Sequence, residues 1–505
     1  MFETLFGCVR RATESSQINR YLKDIERQNF IERDVYEYDD APVEAFVTKG
    51  QSENVMASGN SKQIRDRVCC AAAYNANEAG EAVIVLHAGN SELETLLADA
   101  FVGYGGFRLI NASNPIYDPF LRMDKHQIAQ FVLSSTTEAC NIMHIGSGYI
   151  KGLTDYLAAL SQPTCVKAFK TCPFDTMISK VEDLKRAGTI SSTTAYSISE
   201  QLNNGLVERG NIEHYFNELN YQAGMILASN ATVSSGNATN IKQTVNNNQV
   251  IVFDINPFSS DLLMNVLIQE LKNCMSEGKK FTLVLDSISA SASDALTRLL
   301  KTFSPRCKLV FSAKDVYAEL AGIENMFSIL MGKANSLFIS QHDNAGSSEK
   351  MSEQLGKYEK SEINNTISTG DTYSTYGQVL PGSSSSNIYS VHQVVKPRVE
   401  EREITSLRQD ELFIKKEART EVIKVRSTYG NARGVYSEPA RRTPSSVASG
   451  GFNLVLLIFL LIFVPPIGLF YGYFYSGKKG KIIYGSILIT FFITVFILMI
   501  YACFG

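Results

Sequence analysis

The hydrophobic pattern changes character along the chain. Between residues 81 and 119, and again between 250 and 311, apolar residues come in short runs. Ala82-Val83-Ile84-Val85-Leu86, Phe107-Arg108-Leu109-Ile110, Val250-Ile251-Val252-Phe253, Thr282-Leu283-Val284-Leu285 and Lys308-Leu309-Val310-Phe311 all have strand length. A continuous run, rather than an alternating one, predicts a strand buried on both faces of a parallel sheet. Leu262 to Met275 predicts a helix between two of these strands, and Ser91-Glu92-Leu93-Glu94 reads as a capping box opening another. Strands alternating with helices predict a parallel α/β sheet covered on both sides.

Residues 150–245 are different. They are rich in Leu, Ala, Glu, Gln and Lys and poor in β-forming runs, which predicts an all-α insert splitting the α/β domain. Asn230 to Asn248, rich in Asn, Ser and Thr, is expected to be a loop. Met1 to Asp40 is expected to be helical, with Ile18, Tyr21, Leu22 and Ile25 on one face. Lys360 to Pro397 is expected to be a long polar loop, and Ser427 to Gly451 a tether.

The two longest apolar runs come last, at Phe452 to Phe474 and Ile482 to Phe504. Each has 23 uncharged residues, enough to cross about 30 Å of hydrocarbon. They predict a transmembrane hairpin, with Pro465 and Pro466 kinking its first helix. Lys478, Lys479 and Lys481 favour a cytosolic turn; Arg433, Arg441 and Arg442 favour a cytosolic body. No secretory signal occurs in Met1 to Asp40, which tips the expectation towards a cytosolic body. The expected division is 1–40 helical segment, 41–149 and 246–426 two parts of one α/β domain, 150–245 helical insert, 427–451 linker and 452–505 hairpin.

The chain has 505 residues and a net charge of -3. Residues 1–451 carry 45 basic and 51 acidic side chains, a balance of -6, so no overall basic excess advertises nucleic-acid binding. The nine cysteines contain no CxxC spacing and read as buried thiols in a reducing compartment. The six histidines show no HExxH spacing and no triad pattern, so no metal site is expected.

Two segments carry candidate chemistry. A phosphate-binding loop joins a strand to a helix; its backbone amides hold the phosphates, lysine reaches the outer ones and Ser/Thr binds Mg²⁺. Ser58-Gly59-Asn60-Ser61-Lys62-Gln63 follows Val55-Met56-Ala57 and precedes the helix-like Ile64 to Tyr74. Its lysine is present, but Ser61 stands where the last glycine belongs and Gln63 where the hydroxyl belongs. Leu283-Val284-Leu285-Asp286-Ser287 keeps the apolar strand and the Asp of a Walker-B segment, with Ser287 in place of the Glu.

In order and spacing these pieces resemble the TraD/TraG-type coupling ATPases of type IV secretion and conjugation, over residues 50 to 425. Ser58 to Lys62 stands where that family has its phosphate loop, and Val83 to Leu93 resembles the following strand and turn. Gly106 to Asn111 with Asn114-Pro115 resembles its "Gly-Tyr … Asn … Asn-Pro" segment. Phe311 to Leu320 resembles its sensor segment, with Lys314 where the nucleotide-sensing Gln belongs. Met351 to Tyr358 and Arg402 to Leu412 resemble its two later segments.

The resemblance implies a P-loop NTPase-like fold and an oligomer. It also implies secretion or conjugation proteins and a DNA or relaxase-type substrate as partners, beside the bilayer that the apolar runs imply. Gly59, Ser61, Lys62 and Asp286 would form a degenerate nucleotide site with at most weak ATP binding. The departures argue against hydrolysis, which needs metal and a positioned water. The family also places its membrane helices before the ATPase domain, not after it. Three readings stay open: a non-hydrolysing coupling-protein relative, a divergent working ATPase, and an unrelated membrane scaffold.

Overall fold

A computed structural model describes residues 20–136, 147–255, 261–288, 294–301, 303, 306–323, 325–371, 383–417 and 421–428. Both long apolar runs lie outside these residues. Among the described residues no helix is long and apolar enough to cross a membrane.

The chain opens with α1 (residues 20–33). It continues with β1 (Val35–Ala41), β2 (Val55–Ser58), α2 (Lys62–Glu78), β3 (Ala82–His87), α3 (Ser91–Ala100) and β4 (Phe107–Ile110). Only helices follow among the described residues as far as residue 246: α4 (Lys125–Ser135), α5 (Ser147–Ala159), α6 (Val166–Lys170), α7 (Met177–Arg186), α8 (Ser192–Asn204), α9 (Arg209–Ala223), α10 (Asn230–Ser234) and α11 (Ile241–Asn246). The α/β alternation then resumes with β5 (Val250–Asp254), α12 (Asp261–Ser276), β6 (Phe281–Asp286), α13 (Asp294–Lys301), β7 (Lys308–Ala313), α14 (Val316–Ala321), α15 (Met326–Met331), β8 (Ser336–Ile339) and α16 (Ala345–Leu355). Last come β9 (Lys357–Asp371), β10 (Ser383–Pro397), α17 (Glu401–Thr405), β11 (Glu411–Lys416) and β12 (Val422–Ser427).

Ten strands form one sheet in the order β1-β12-β11-β8-β2-β7-β6-β3-β5-β4. It is mostly parallel; β11 runs antiparallel to both β8 and β12. The loop-bearing strand β2 is separated from the Asp-bearing strand β6 by β7. This mostly parallel sheet with covering helices fits a P-loop NTPase-like α/β fold.

The unbroken apolar runs have a direct structural cause. In β3, Ile84 and Leu86 join the core on one face while Val83 and Val85 join the core on the other. The larger residues of β5 and β6 (Phe253, Leu283, Leu285) share the first core with Phe120, Phe131, Phe169 and Phe216 of the helical region. The smaller ones face α2, whose Cys69, Cys70, Ala71, Ala72, Ala73 and Ala76 are all buried. Small side chains let α2 lie close across β2, β3, β6 and β7, which brings its first turns over the carboxyl ends of the central strands.

Four sequence expectations change. Residues 35–41 form a strand rather than helix, paired in parallel with β12; Tyr36 and Tyr38 are exposed on this sheet edge. The polar stretch 230–248 holds α10 and α11, because Ser229 and Asn240 act as N-caps and accept from Thr232 and Gln243 N–H. The expected loop 360–397 instead falls largely within β9 and β10, an antiparallel ribbon of two 15-residue strands. Its apolar pattern is weak because it forms a separate two-stranded sheet. The expected capping box is replaced by a single cap one residue earlier: Asn90, not Ser91, caps α3 by accepting from Leu93 N–H.

Candidate functional site

The strands β2, β7, β6, β3 and β5 end along one edge of the sheet, the edge where α/β proteins place ligands. Gly59 follows β2 with φ +128°, and a Cβ there would lie 2.2 Å from Ser340 Oγ and 2.7 Å from the Ser340 carbonyl carbon and oxygen. The chain therefore passes flush against the end of β8. The Gly59 N–H donates to the Lys314 carbonyl at 3.1 Å, and the Asn60 N–H to the Gln341 carbonyl at 2.7 Å. Ser61 N–H donates to Ser340 Oγ at 3.3 Å. The buried Arg65 guanidinium donates to the Gly59 carbonyl, and Ser58 Oγ accepts from Val316 N–H at 3.1 Å. A phosphate loop turns successive amides out to its ligand. Here the amides of residues 59–61 all turn to protein acceptors.

Lys62 opens α2. Its ammonium pairs with Glu92 and lies 3.5 Å from Asp66 Oδ2, one helical turn along. Asp66 is buried, and its Oδ1 accepts from Asn90 Nδ2 at 2.7 Å. The same Asn90 nitrogen donates to Asp286 Oδ2 at 2.7 Å. Asp286, at the end of β6, is fully buried, and its Oδ1 accepts from Ser312 Oγ at 2.7 Å. One carboxamide thus holds two buried carboxyl groups together. Burial pushes the Asp66 carboxyl up to about 6; the Asn90 hydrogen bond opposes this, and the Asp286 charge adds to it. His87, at the end of β3, accepts from Asn90 N–H at 3.1 Å, and burial lowers its pKa.

The four residues singled out from the sequence therefore meet, but indirectly. Gly59, Ser61 and Lys62 form the β2–α2 junction, and Asp286 joins them through Asp66 and Asn90. Sequence reasoning missed Arg65, Asp66, Asn90 and Ser340. Asp66 had a legible signal, its i+4 spacing from Lys62, and Asn90 had one as a cap-type residue before Ser91. Ser287 sits at φ +56° with its N–H donating to the Ser312 carbonyl at 2.8 Å. Lys314 is exposed, 3.7 Å from Asp343. A magnesium-bound triphosphate does not fit these residues as arranged. The amides of 59–61 are engaged, the lysine faces two carboxylates, and each Asp286 oxygen already accepts a hydrogen bond.

No protein-family profile matches the chain, and no curated protein sequence matches it. Solved structures that it is similar to include conjugative coupling proteins and VirB4. It is similar to the unbound form of the bacterial conjugative coupling protein TrwBdeltaN70 at 13% identity and a TM-score of 0.45, covering 77% of this chain and 91% of that one. Against the plasmid coupling protein TrwB in complex with ADP and Mg²⁺ the figures are 13% and 0.43, covering 75% and 86%. VirB4 of Thermoanaerobacter pseudethanolicus gives 10% and 0.37, covering 76% and 91%.

Two more buried carboxyls shape the pH response. Glu270 accepts from Tyr117 Oη at 2.8 Å, and burial pushes it up to about 8. Burial pushes Asp118 up to about 7, against hydrogen bonds from the Val166 and Phe120 N–H groups. A carboxyl whose folded pKa is raised adds stability at low pH and loses it as pH rises through the folded pKa. His87 and His342, whose pKa values burial lowers, act only below their unfolded value near 6.5. Between pH 6.5 and 8 the carboxyls alone decide the sign, and unfolding free energy is expected to fall by about 2 kcal/mol. Urea melts check this; Glu270→Gln is expected to remove most of the slope.

Proposed function

We propose that this protein is a membrane-anchored, non-hydrolysing subunit of a type IV secretion or conjugative transfer system. It uses a coupling-protein frame to recruit a substrate or to join the assembly. The observation that carries the proposal is the closed β2–α2 junction. Its three amides are bonded to the end of β7 and to the residues that follow β7 and β8, and Asn90 links Asp66 to Asp286. The motif order shared with coupling ATPases supports the setting, and the two 23-residue apolar runs support the membrane anchor. On this reading Gly59, Ser61, Lys62 and Asp286 hold the frame together, nucleotide has no working part, and the soluble body lies in the cytoplasm. Its partners are the bilayer, proteins of the transfer machinery, other copies or subunits, and a DNA or relaxase-type cargo.

Transfer frequency in the organism that carries the gene tests this. Deleting the gene is expected to lower transfer at least tenfold, and the Lys62→Ala protein is expected to restore it fully. A Lys62→Ala protein that is stably made yet behaves as the deletion would overturn the proposal.

A further inference from the structure

Where α4, α11 and α12 meet, a groove of about 370 Å³ is lined mostly by uncharged polar side chains. The lining is organised by helical period. From α4 come Gln127, Gln130 and Ser134, and from α12 come Gln269, Asn273 and Ser276. Each trio repeats at three or four residues, so each helix turns one polar stripe into the groove. Gln243 of α11 also lines it, and its Oε1 is buried with no hydrogen-bond partner. A buried oxygen left without a donor in the fold is rare, and a bound water or a ligand N–H can satisfy it.

We infer that this groove binds an extended polypeptide through its main chain. A carboxamide offers a donor and an acceptor side by side, as a peptide unit does. One turn of helix advances about 5.4 Å, close to the two-residue repeat of about 6.6 Å in an extended chain. Carboxamides one turn apart on each stripe therefore meet neighbouring main-chain N–H and C=O groups with a shift of about 1.2 Å per turn. Gln269 Nε2 donates to Asn273 Oδ1 at 2.9 Å, which orients the pair and leaves the Gln269 oxygen and the Asn273 side-chain N–H groups for a ligand.

A nucleic-acid strand is the poorer occupant. Among the described residues lining the groove the one aromatic ring is Phe131, and at 3% exposure it offers no face for stacking a base. Of the two cations, Lys242 is paired with Glu277 at 2.7 Å, which leaves Arg122 alone to attract phosphates. The inference stands apart from the nucleotide question, because none of these residues touches the β2–α2 junction.

The test uses the full-length protein and 12-residue peptides selected on it from a random displayed library, then measured singly by fluorescence anisotropy. Selected peptides are expected to weaken at least tenfold when one central backbone nitrogen is methylated. Gln130→Leu and Asn273→Leu are each expected to weaken them at least fivefold. Gln130 is exposed, so its replacement leaves the core alone, and an unchanged melting temperature confirms this. The inference is overturned if no peptide is selected, or if binding ignores both backbone methylation and the two variants. It is also overturned if a dT12 oligonucleotide, rather than peptide, shows binding that these variants remove.

Discussion

Replacing Gly59 by alanine is expected to destabilise the protein by about 3–5 kcal/mol. Two costs add. A non-glycine residue at φ +128° carries backbone strain of about 1–3 kcal/mol. The new methyl also meets the Ser340 carbonyl carbon and oxygen at 2.7 Å, and overpacking of this kind costs about 1–3 kcal/mol. Ser340 Oγ can rotate away, but backbone atoms at the end of β8 cannot. Gly80 is the control: its φ is +84°, yet a Cβ there meets nothing within 4 Å, so Gly80→Ala carries strain alone, about 1–2 kcal/mol. Urea unfolding followed by circular dichroism measures both. Equal losses at the two positions would show that the loop does not press on β8.

The second large effect is expected at Asn90. Asn90→Leu removes both hydrogen bonds to the buried Asp66 and Asp286, and the N-cap of α3 with them. Two carboxyl groups then face each other in the interior without a donor between them. Removing one partner from a buried charged network costs about 3–5 kcal/mol, and the lost cap adds about 1 kcal/mol. The loss should depend on pH in a set direction. Asp66, already raised to about 6 by burial, takes up a proton at pH 5 and donates to its neighbour, so the variant suffers less at pH 5 than at pH 8. Adding Asp66→Asn to Asn90→Leu should restore part of the stability at pH 8 by supplying a neutral donor. A pH-independent loss with no rescue would contradict the bridging role.

The parts of the fold that sequence showed plainly were those where one force acts alone. β3, β5, β6 and β7 are buried on both faces, so their apolar runs needed no context, and α12 matched its expected span within a residue at each end. β1, β9 and β10 were missed for the opposite reason. β1 pairs on one side only and carries Tyr36 and Tyr38 outward, while the β9–β10 ribbon belongs to no larger sheet. Polar caps misled the reading of 230–248, since Asn and Ser mark helix starts as well as loops. At the site, Lys62 and Asp286 were legible from the order of motifs. Their actual partners were not, because Glu92 reaches Lys62 from α3, and Ser312 and Asn90 reach Asp286 from β7 and from the turn after β3, 26 residues or more away in sequence.

The departures at Ser61, Gln63 and Ser287 point to the same conclusion as the hydrogen bonds. The groups that the motifs retain are engaged internally as well: Ser340 partners the loop, Asp66 and Glu92 the lysine, and Asn90 and Ser312 the aspartate.

The β2–α2 junction is closed by the protein's own backbone carbonyls and side chains. The measurement that tests it most directly is magnesium-ATP binding and turnover by the full-length protein beside Lys62→Ala. No binding tighter than about 1 mM is expected, with the same background phosphate release from both proteins. Turnover of about 1 s⁻¹ or more that Lys62→Ala abolishes would contradict it.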